Sequence, residues 1–244
     1  MDNARRKLRL KKIAIILAAG KGSRMKQNTP KQYICVEGTP IILYTLKTFQ
    51  ESIVDEIILV VGEGEVAYCE QELQIPQKYS KVTQIIVGGK ERYDSVYNAL
   101  SMIKDKQCYV MIHDGARPLV SQEIISKSFA EVATNNSVVV GVPVKDTIKE
   151  VEADMYIGKT IPREQLWQIQ TPQTFFYILL KEAYEKMMEQ KDNTITDDAM
   201  VMEKYGVTKT KIIEGDYKNI KITTPEDLII FQAYLQMQHN DSIL

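Results

Sequence analysis

Residues 13–33 read I-A-I-I-L-A-A-G-K-G-S-R-M-K-Q-N-T-P-K-Q-Y, and this part of the chain gives the clearest indication of its architecture. An apolar run at 13–19 is followed directly by two glycines and then by several lysines and an arginine. A strand that ends in glycines and cations indicates an anion-binding loop, because glycine lets the backbone approach a ligand closely. The stretch therefore predicts a strand followed by a loop that holds an anion.

Short apolar runs recur along the rest of the chain and alternate with segments of helical periodicity. Strands are predicted at 13–19, 56–61, 82–87, 108–112, 137–142, 209–213 and 219–222. Helices are predicted at 40–50, 92–103, 121–134, 176–190, 197–205 and 225–236. This alternation predicts an α/β fold with a Rossmann-like, mostly parallel sheet flanked by helices.

The segment 143–172 breaks the alternation. It carries three prolines and little helical periodicity, so we expect an extended β-arm that leaves the sheet. No repeat or linker marks a second domain, and the sequence predicts a basic tail at 1–12 and one domain at 13–244. The tail and the apolar run after it imitate a secretory signal peptide, but the run is short and further cations follow it.

The composition narrows the class of ligand. The chain has 244 residues, 31 Lys and Arg against 32 Asp and Glu, and a formal net charge of -1, which gives no general attraction to nucleic acid or acidic membranes. The three cysteines have no C-x-x-C spacing, so a disulfide framework and a zinc site are not indicated. We expect a cytoplasmic protein with a small ligand, without nucleic acid or membrane as a partner.

Two common phosphate-binding motifs fail in the glycine loop. A P-loop requires G-x-x-x-x-G-K-[ST], and the dinucleotide fingerprint requires G-x-G-x-x-G. Both need a glycine where Met25 stands, five residues after Gly20. The misfit argues against an ATPase of the P-loop class and against an NAD-linked oxidoreductase.

Charged residues near predicted strand ends are candidates for the site, because open α/β sheets bind ligands at the carboxyl ends of their strands. Arg24 and Lys31 flank the glycines and a Thr-Pro turn, which favours phosphate binding. Asp114 follows an apolar run and suits Mg²⁺, which prefers one or two carboxylates together with substrate phosphates. A turn aspartate is an equally good interpretation of Asp114, and Lys221 alone would be read as a strand lysine facing solvent.

Six motifs in order resemble one family of the sugar nucleotidyltransferases. They are L-A-A-G-x-G-x-R-M-x(5)-K-Q at 17–32, G-G-x-E-R-x-D-S-V at 88–96, H-D-x-A-R-P at 113–118, P-V-x-D-T-x-K at 143–149, T-P-Q-x-F at 171–175 and N-I-K-x-T-x-P-E-D-L at 219–228. The chain is similar in all of them to the 2-C-methyl-D-erythritol 4-phosphate cytidylyltransferases of non-mevalonate isoprenoid synthesis. The resemblance covers nearly the whole chain.

The resemblance implies a reaction and a set of site residues. CMP would pass from CTP to 2-C-methyl-D-erythritol 4-phosphate with release of pyrophosphate, and Mg²⁺ or another divalent cation would be the cofactor. The implied catalytic residues are Arg24, Lys31 and Lys221. The implied CTP-binding residues are Ala18, Ala19, Gly20, Gly22, Gly88, Gly89, Ser95 and Asp114, and Asp114 would also bind the metal. The implied residues for the acceptor phosphate are Arg117, Thr147, Arg163 and Thr171.

The resemblance also implies a homodimer formed through the arm, in which Thr147 and Arg163 reach the site of the second subunit. Two alternatives stay open on the sequence. Ribitol-5-phosphate cytidylyltransferases of teichoic-acid synthesis share the glycine loop and the Thr-Pro-Gln, although the H-D-G-A-R segment at 113–117 resembles the erythritol-phosphate enzymes more. A regulatory module that binds nucleotide without turnover is the second alternative, and it would be expected to lack Arg24, Lys31 or Asp114, which are all present.

Overall fold

A computed structural model describes residues 9–20, 25 and 29–241. The strands are β1 (Lys11–Ala18), β2 (Cys35–Val36), β3 (Thr39–Pro40), β4 (Glu56–Val61), β5 (Val82–Val87), β6 (Cys108–Asp114), β7 (Ser137–Pro143), β8 (Ile148–Val151), β9 (Ile157–Ile161), β10 (Trp167–Phe176) and β11 (Lys211–Glu214). The helices are α1 (Ile41–Glu51), α2 (Ile75–Lys78), α3 (Arg92–Met102), α4 (Gln122–Asn135), α5 (Tyr177–Gln190), α6 (Asp198–Tyr205) and α7 (Pro225–Asp241). Within the described residues, no helix combines the length and the apolar character that crossing a membrane requires.

Seven strands form one sheet in the order β11-β7-β10-β6-β1-β4-β5. β10 runs antiparallel to its neighbours β6 and β7, whereas the other neighbouring pairs are parallel. The predicted α/β fold with a mostly parallel sheet is confirmed. Strands β8 and β9 form a separate hairpin outside this sheet.

The strand β1 explains why the apolar run at 13–19 lacks alternation. Ala14 and Ile16 pack into the core on one face of the sheet, and Ile13 and Ile15 pack into the core on the other. Helices α1 and α4 contribute to the first core and α3 and α5 to the second. Because helices cover both faces, every position of the strand can be apolar. The strand begins at Lys11, and residues 1–8 of the predicted tail lie outside the described residues.

The predicted strand at 219–222 is wrong, since this segment belongs to no strand. Its polar groups bond instead to the loop after β6 and to strand β10. The backbone N–H of Ile222 donates to the carbonyl of Ala116 at 2.8 Å, and the side-chain Nδ2 of Asn219 donates to the carbonyl of Thr171 at 2.8 Å. These bonds hold the segment against the loop that follows β6. The backbone polar groups of the segment are therefore satisfied without pairing in the sheet.

The segment predicted as an arm contains both a hairpin and a sheet strand. Strands β8 and β9 lie outside the sheet, but β10, from Trp167 onward, lies within it between β7 and β6. β10 buries the polar residues Gln170, Thr171, Gln173 and Thr174. A strand whose buried face is polar gives no hydrophobic periodicity, so the sequence pattern did not indicate it.

Candidate active site

A cavity of about 1090 Å³ opens at the carboxyl ends of β1, β4, β5 and β6. This is the edge at which open α/β sheets bind their ligands. The predicted site residues that line it are Ala18, Ala19, Gly20, Lys31, Gly88, Gly89, Ser95, Asp114 and Lys221. Two others, Gly22 and Arg24, lie outside the described residues. The fold thus brings together glycines, cations and a carboxylate that are far apart in the sequence.

The glycines after β5 stand where the surrounding protein leaves no room for a side chain. A Cβ atom on Gly88 would lie 2.7 Å from both the Cβ of Ala19 and the Oγ of Ser95, and one on Gly89 would lie 2.2 Å from the Cβ of Asp94. The Oγ of Ser95 accepts a hydrogen bond from the N–H of Gly89 at 3.0 Å and donates one to the carbonyl four residues before it at 3.1 Å. These two hydrogen bonds of Ser95 therefore fix the shape of the turn formed by residues 88–89.

Lys31 opens the short 3-10 turn Lys31–Tyr33 on another wall of the cavity. Its Nζ donates to the carbonyl of Ile222 at 3.1 Å. At the end of the turn, the hydroxyl of Tyr33 donates to Glu65 Oε2 at 2.7 Å, and the N–H of the first residue after β4 donates to the same oxygen at 2.9 Å. One carboxylate therefore connects the lysine-bearing turn to the end of the sheet.

Asp114 ends β6 and is surrounded by cations. Its Oδ2 lies 3.0 Å from Lys221 Nζ and 3.3 Å from Arg117 Nε, and its Oδ1 lies 3.8 Å from Arg92 Nε. Burial would raise the pKa of Asp114, but the charges of Lys221, Arg92 and Arg117 outweigh burial and hold this pKa well below its usual range. The carboxylate is ionised at neutral pH and can bind a cation.

His113, Thr171 and Arg117 lie behind Asp114 and do not line the cavity. The Oγ1 of Thr171 accepts from the N–H of Asp114 at 3.1 Å and lies 3.1 Å from Nδ1 of His113. The other ring nitrogen of His113 lies 3.1 Å from the carbonyl of Arg117. Burial lowers the pKa of His113 to about 4, so its ring is neutral at physiological pH. The histidine is buried and does not line the cavity.

Thr147 and Arg163 do not line the cavity of their own chain. Thr147 is exposed just before the hairpin strand β8, and Arg163 is exposed just after β9. The guanidinium of Arg163 donates to the carbonyl of Lys145 at 2.6 Å, which joins the two ends of the hairpin. Two of the four residues predicted for the acceptor phosphate thus lie at the ends of the hairpin and outside the cavity lining.

Three charged residues of this region were missed by the sequence interpretation. Glu65 connects the turn of Lys31 to β4, and Arg92 lines the cavity and forms a two-pronged ion pair with Asp198. Arg92 stands inside the quoted motif G-G-x-E-R-x-D-S-V, so a signal was available for it. Asp198 stands 106 residues away from Arg92, and local patterning could not connect the two.

The donor set around the cavity fits a metal that is shared with a substrate. Among the described residues, no group of three or more His, Cys, Asp and Glu side chains could hold a metal ion. Asp114 offers one ionised carboxylate at the cavity wall. Mg²⁺ is commonly bound by one or two carboxylates together with substrate phosphates and water, so this arrangement fits Mg²⁺.

Fold and site together define a nucleotide-binding transferase. The cavity has glycine-lined walls for close approach of a nucleotide, lysines for its phosphates, and the ionised carboxylate of Asp114, while the histidine nearby is buried and neutral. Such a site stabilises charge and has no histidine base for proton transfer.

Comparison with known proteins identifies the family. The family model described as IspD, 2-C-methyl-D-erythritol 4-phosphate cytidylyltransferase, matches residues 12–237. The chain belongs to this family, and it is a cytidylyltransferase of the non-mevalonate isoprenoid pathway. The family match supports the erythritol-type acceptor over the ribitol-type alternative.

Similar proteins agree with this assignment. The chain is 49% identical over 225 residues to the 2-C-methyl-D-erythritol 4-phosphate cytidylyltransferase of Lachnospira eligens, covering 91% of this chain and 98% of the relative. It is 45% identical over 230 residues to the protein of the same name from Lachnoclostridium phytofermentans, covering 94% and 98%. The crystal structure of 4-diphosphocytidyl-2C-methyl-D-erythritol synthase from Anaerococcus prevotii superposes with a TM-score of 0.81 at 35% identity, covering 93% of this chain and 96% of the other.

Proposed function

We propose that the cavity at the carboxyl ends of β1, β4, β5 and β6 is where CMP is transferred from CTP to 2-C-methyl-D-erythritol 4-phosphate. The observation that carries this proposal is the meeting of Lys31, Asp114 and Lys221 on the walls of one cavity. Lys31 comes from near the start of the chain and Lys221 from near its end. In the cavity they can together neutralise the phosphates of one nucleotide.

The chemistry needs charge stabilisation more than proton transfer. An oxygen of the acceptor phosphate attacks the α-phosphorus of CTP, the bond from that phosphorus to the bridging oxygen of the β-phosphate breaks, and pyrophosphate leaves with the electron pair. A phosphate monoester has a second pKa of about 6, so it is already mostly dianionic at neutral pH and needs no general base. The neutral, buried His113 is consistent with this mechanism.

The cations have separate roles in this proposal. Lys31, together with Arg24 from the part of the glycine loop outside the described residues, stabilises the negative charge that spreads over the phosphoryl oxygens and the leaving pyrophosphate. Lys221, one residue before the carbonyl that accepts from Lys31 Nζ, would contact the α-phosphate. Two anions must meet in this reaction, so removing a cation should slow the chemical step in particular.

The nucleoside part of CTP is assigned to the glycine-lined walls. Backbone atoms of Ala18, Ala19, Gly20 and Gly22 would contact the ligand on one side, and the turn formed by residues 88–89 with Ser95 below it would contact the base and ribose on the other. Gly88 packs directly against Ala19, since a Cβ atom there would lie 2.7 Å from the Cβ of Ala19, and both residues line the cavity.

Asp114 would bind Mg²⁺, which supplies positive charge to the phosphates when it is bound. The support is the low pKa of Asp114, which keeps its carboxylate ionised beside the cavity although it is largely buried. Arg117 and Thr171 both bond to Asp114 and would orient it, in addition to their predicted role at the acceptor phosphate.

The acceptor side is proposed to be completed by a second copy of the chain. The hairpin of β8 and β9 carries exposed apolar residues at its tip, where Met155, Tyr156 and Ile157 are 82%, 70% and 65% exposed. Such a surface favours burial against another protein surface. In a homodimer built through this arm, Thr147 and Arg163 would bind the acceptor phosphate in the partner's cavity, and the fork of Arg163 suits a phosphate.

The test of the function is turnover with matched acceptors. Purified protein with CTP and Mg²⁺ should release pyrophosphate with 2-C-methyl-D-erythritol 4-phosphate and much more slowly with ribitol 5-phosphate. Binding of CTP without pyrophosphate release from either acceptor would support the regulatory alternative instead.

The shared site has its own test. Chains carrying Arg163→Ala and chains carrying Asp114→Asn are each expected to be nearly inactive, and a mixed dimer should regain part of the activity because one of its two sites is intact. A mixed dimer verified by mass that regains none would contradict the sharing of the site, without contradicting the reaction.

A further inference from the structure

Arg92 joins two buried carboxylates, one at the start of α6 and one at the end of β6. Its guanidinium binds Asp198 with two bonds, NH1 to Oδ1 at 3.0 Å and NH2 to Oδ2 at 2.7 Å, while its Nε lies 3.8 Å from Oδ1 of Asp114. We propose that Arg92, fixed by Asp198, is a positioning residue that sets the orientation of Asp114 in the cytidylyltransferase site. The inference rests on the proposed function, which assigns Asp114 to the site.

The Asp198 end of this network is buried, and both of its carboxylate oxygens are hydrogen-bonded. Asp198 is 0% exposed, and the buried hydroxyl of Tyr184 donates to its Oδ1. With water excluded, both carboxylate oxygens are occupied by Arg92, and Tyr184 adds a third donor. Because the guanidinium is planar, two fixed nitrogens also fix the direction of the remaining Nε–H, and a lysine could not reproduce this.

The Asp114 end is divided between its two oxygens. Arg92 faces Oδ1, while Lys221 and Arg117 both contact Oδ2. Without Arg92, the two remaining cations, Lys221 and Arg117, would both attract Oδ2. The carboxylate would then be free to rotate toward Lys221. Arg92 therefore opposes the attraction of Lys221 on the carboxylate of Asp114. Loss of Arg92 would displace both Asp114 and Lys221.

Asp198 also limits the charge that Arg92 adds to the site. Three cations, Arg92, Arg117 and Lys221, surround Asp114 at the distances given above. The charge of Asp198 offsets that of Arg92 within the protein, so Arg92 can orient Asp114 without competing strongly for the substrate phosphates. This separates Arg92 from Lys221, which has no such carboxylate partner beyond Asp114 within the described residues.

The network also connects three elements of the site. Arg92 opens α3, the helix that carries Ser95 under the glycine turn, while Asp114 ends β6 and Asp198 opens α6. The guanidinium of Arg92 thereby sets the distance between the turn formed by residues 88–89 and Asp114 at the end of β6. A positional error at Arg92 would appear in the chemical step, since a small misplacement of a catalytic group lowers the rate steeply.

The experiment compares Arg92→Met, the double variant Arg92→Met/Asp198→Asn, and Arg92→Lys. Arg92→Met leaves Asp198 buried without its cation, so it should be less stable, and Asp198→Asn should restore stability while keeping an acceptor for Tyr184. For each protein we would measure kcat, KM for CTP and the urea midpoint of unfolding. The expected result is a kcat about tenfold or more below wild type in all three variants, including the restabilised double variant.

The control is Lys211→Met, which removes the cation of a surface ion pair with Glu131 and should leave kcat unchanged. If the double variant regains both stability and kcat, the network is structural only and the inference is wrong. Full kcat in Arg92→Lys, or a rise in KM for CTP with unchanged kcat, would also overturn it. An Asp114→Asn variant in the same assay separates the two proposals, because full activity there would contradict the proposed site itself.

Discussion

Lys221 and Asp114 form an ion pair across the cavity wall, with 3.0 Å between Lys221 Nζ and Asp114 Oδ2. The two residues are 107 positions apart in the sequence (221 − 114), and no periodicity or spacing along the chain indicated that they form a pair. The pair exists because the irregular segment that carries Lys221 lies across the loop after β6, held by Ile222 and Asn219. A lysine that looked like a solvent-facing strand residue is thereby brought to the cavity.

Replacement of Lys221 by alanine should act on the chemical step. We expect kcat to fall about a hundredfold or more, because one preorganised cation is lost at the reacting phosphate, while KM for CTP changes only a few-fold. Steady-state kinetics of pyrophosphate release would measure this. Lys221→Arg is the matched control, since it keeps the charge and should retain part of the rate. An equal loss of CTP affinity with normal kcat would contradict the assigned role.

Asn219→Ala should lower activity although Asn219 does not line the cavity. The buried Asn219 Nδ2 donates to the carbonyl of Thr171, and its backbone carbonyl accepts from Arg117 NH1 at 2.7 Å. Removing the amide leaves a buried carbonyl without this donor, so we expect about 1–3 kcal/mol of lost stability and a lower kcat, because Lys221 is displaced.

Denaturant unfolding and kinetics on the same preparation would test this second prediction. Asn135→Ala, which removes bonds to Glu131 on α4, is a control that should leave kcat unchanged. A destabilised Asn219→Ala protein with wild-type kcat would show that the segment does not depend on Asn219 for its position.

The sequence predicts this fold well where burial is apolar and poorly where burial is polar. The strand β1 is apolar on both faces, and its run is unmistakable. β10 was not predicted, because Gln170 and Gln173 are buried by side-chain hydrogen bonds to Asp216 and Asp197. The alternation from Ile220 to Ile222 imitates a strand of period 2, but hydrogen bonds to the loop after β6 and, through Asn219, to β10 determine the conformation of this segment.

The candidate site, too, was predictable only in part. Its glycines and the cations beside them could be predicted because they follow recognisable strand ends, and Lys221 was predicted from the family resemblance. The pairing of Arg92 with Asp198 depends on tertiary packing between α3 and α6, so it could not be predicted from spacing along the chain.

Gly20→Ala should separate ligand contact from protein stability. A Cβ atom on Gly20 would meet no protein atom of the described residues within 4 Å, so the free energy of unfolding should change by less than about 0.5 kcal/mol. If the nucleotide approaches this backbone closely, the added methyl group should raise KM for CTP roughly tenfold or more. Calorimetric titration with CTP would measure the affinity directly. Unchanged affinity would mean that the nucleotide does not contact Gly20.

Gly88→Ala is the informative contrast to Gly20→Ala. Its Cβ would lie 2.7 Å from Ala19 and from Ser95 Oγ, so the turn itself must shift. We expect lower CTP affinity together with a loss of stability of about 1–3 kcal/mol, as for overpacked positions. The urea midpoint of this variant, compared with that of Gly20→Ala, checks the difference. Equal midpoints would show that the turn absorbs the methyl group.

His113 should make stability depend on pH in a defined window. Burial lowers its pKa from the ordinary 6.5 to about 4, so the unfolded chain binds a proton that the folded chain does not bind between these values. Stability therefore falls as pH falls below about 6.5, and between pH 7.5 and 5.0 the loss should be about 2 kcal/mol. Asp114 acts in another window, since its lowered pKa removes stability only as pH falls below about 4. Urea unfolding at both pH values, with His113→Gln as the matched variant, would isolate the histidine. If the wild type and the variant lose the same stability between the two pH values, His113 is not buried in its neutral form.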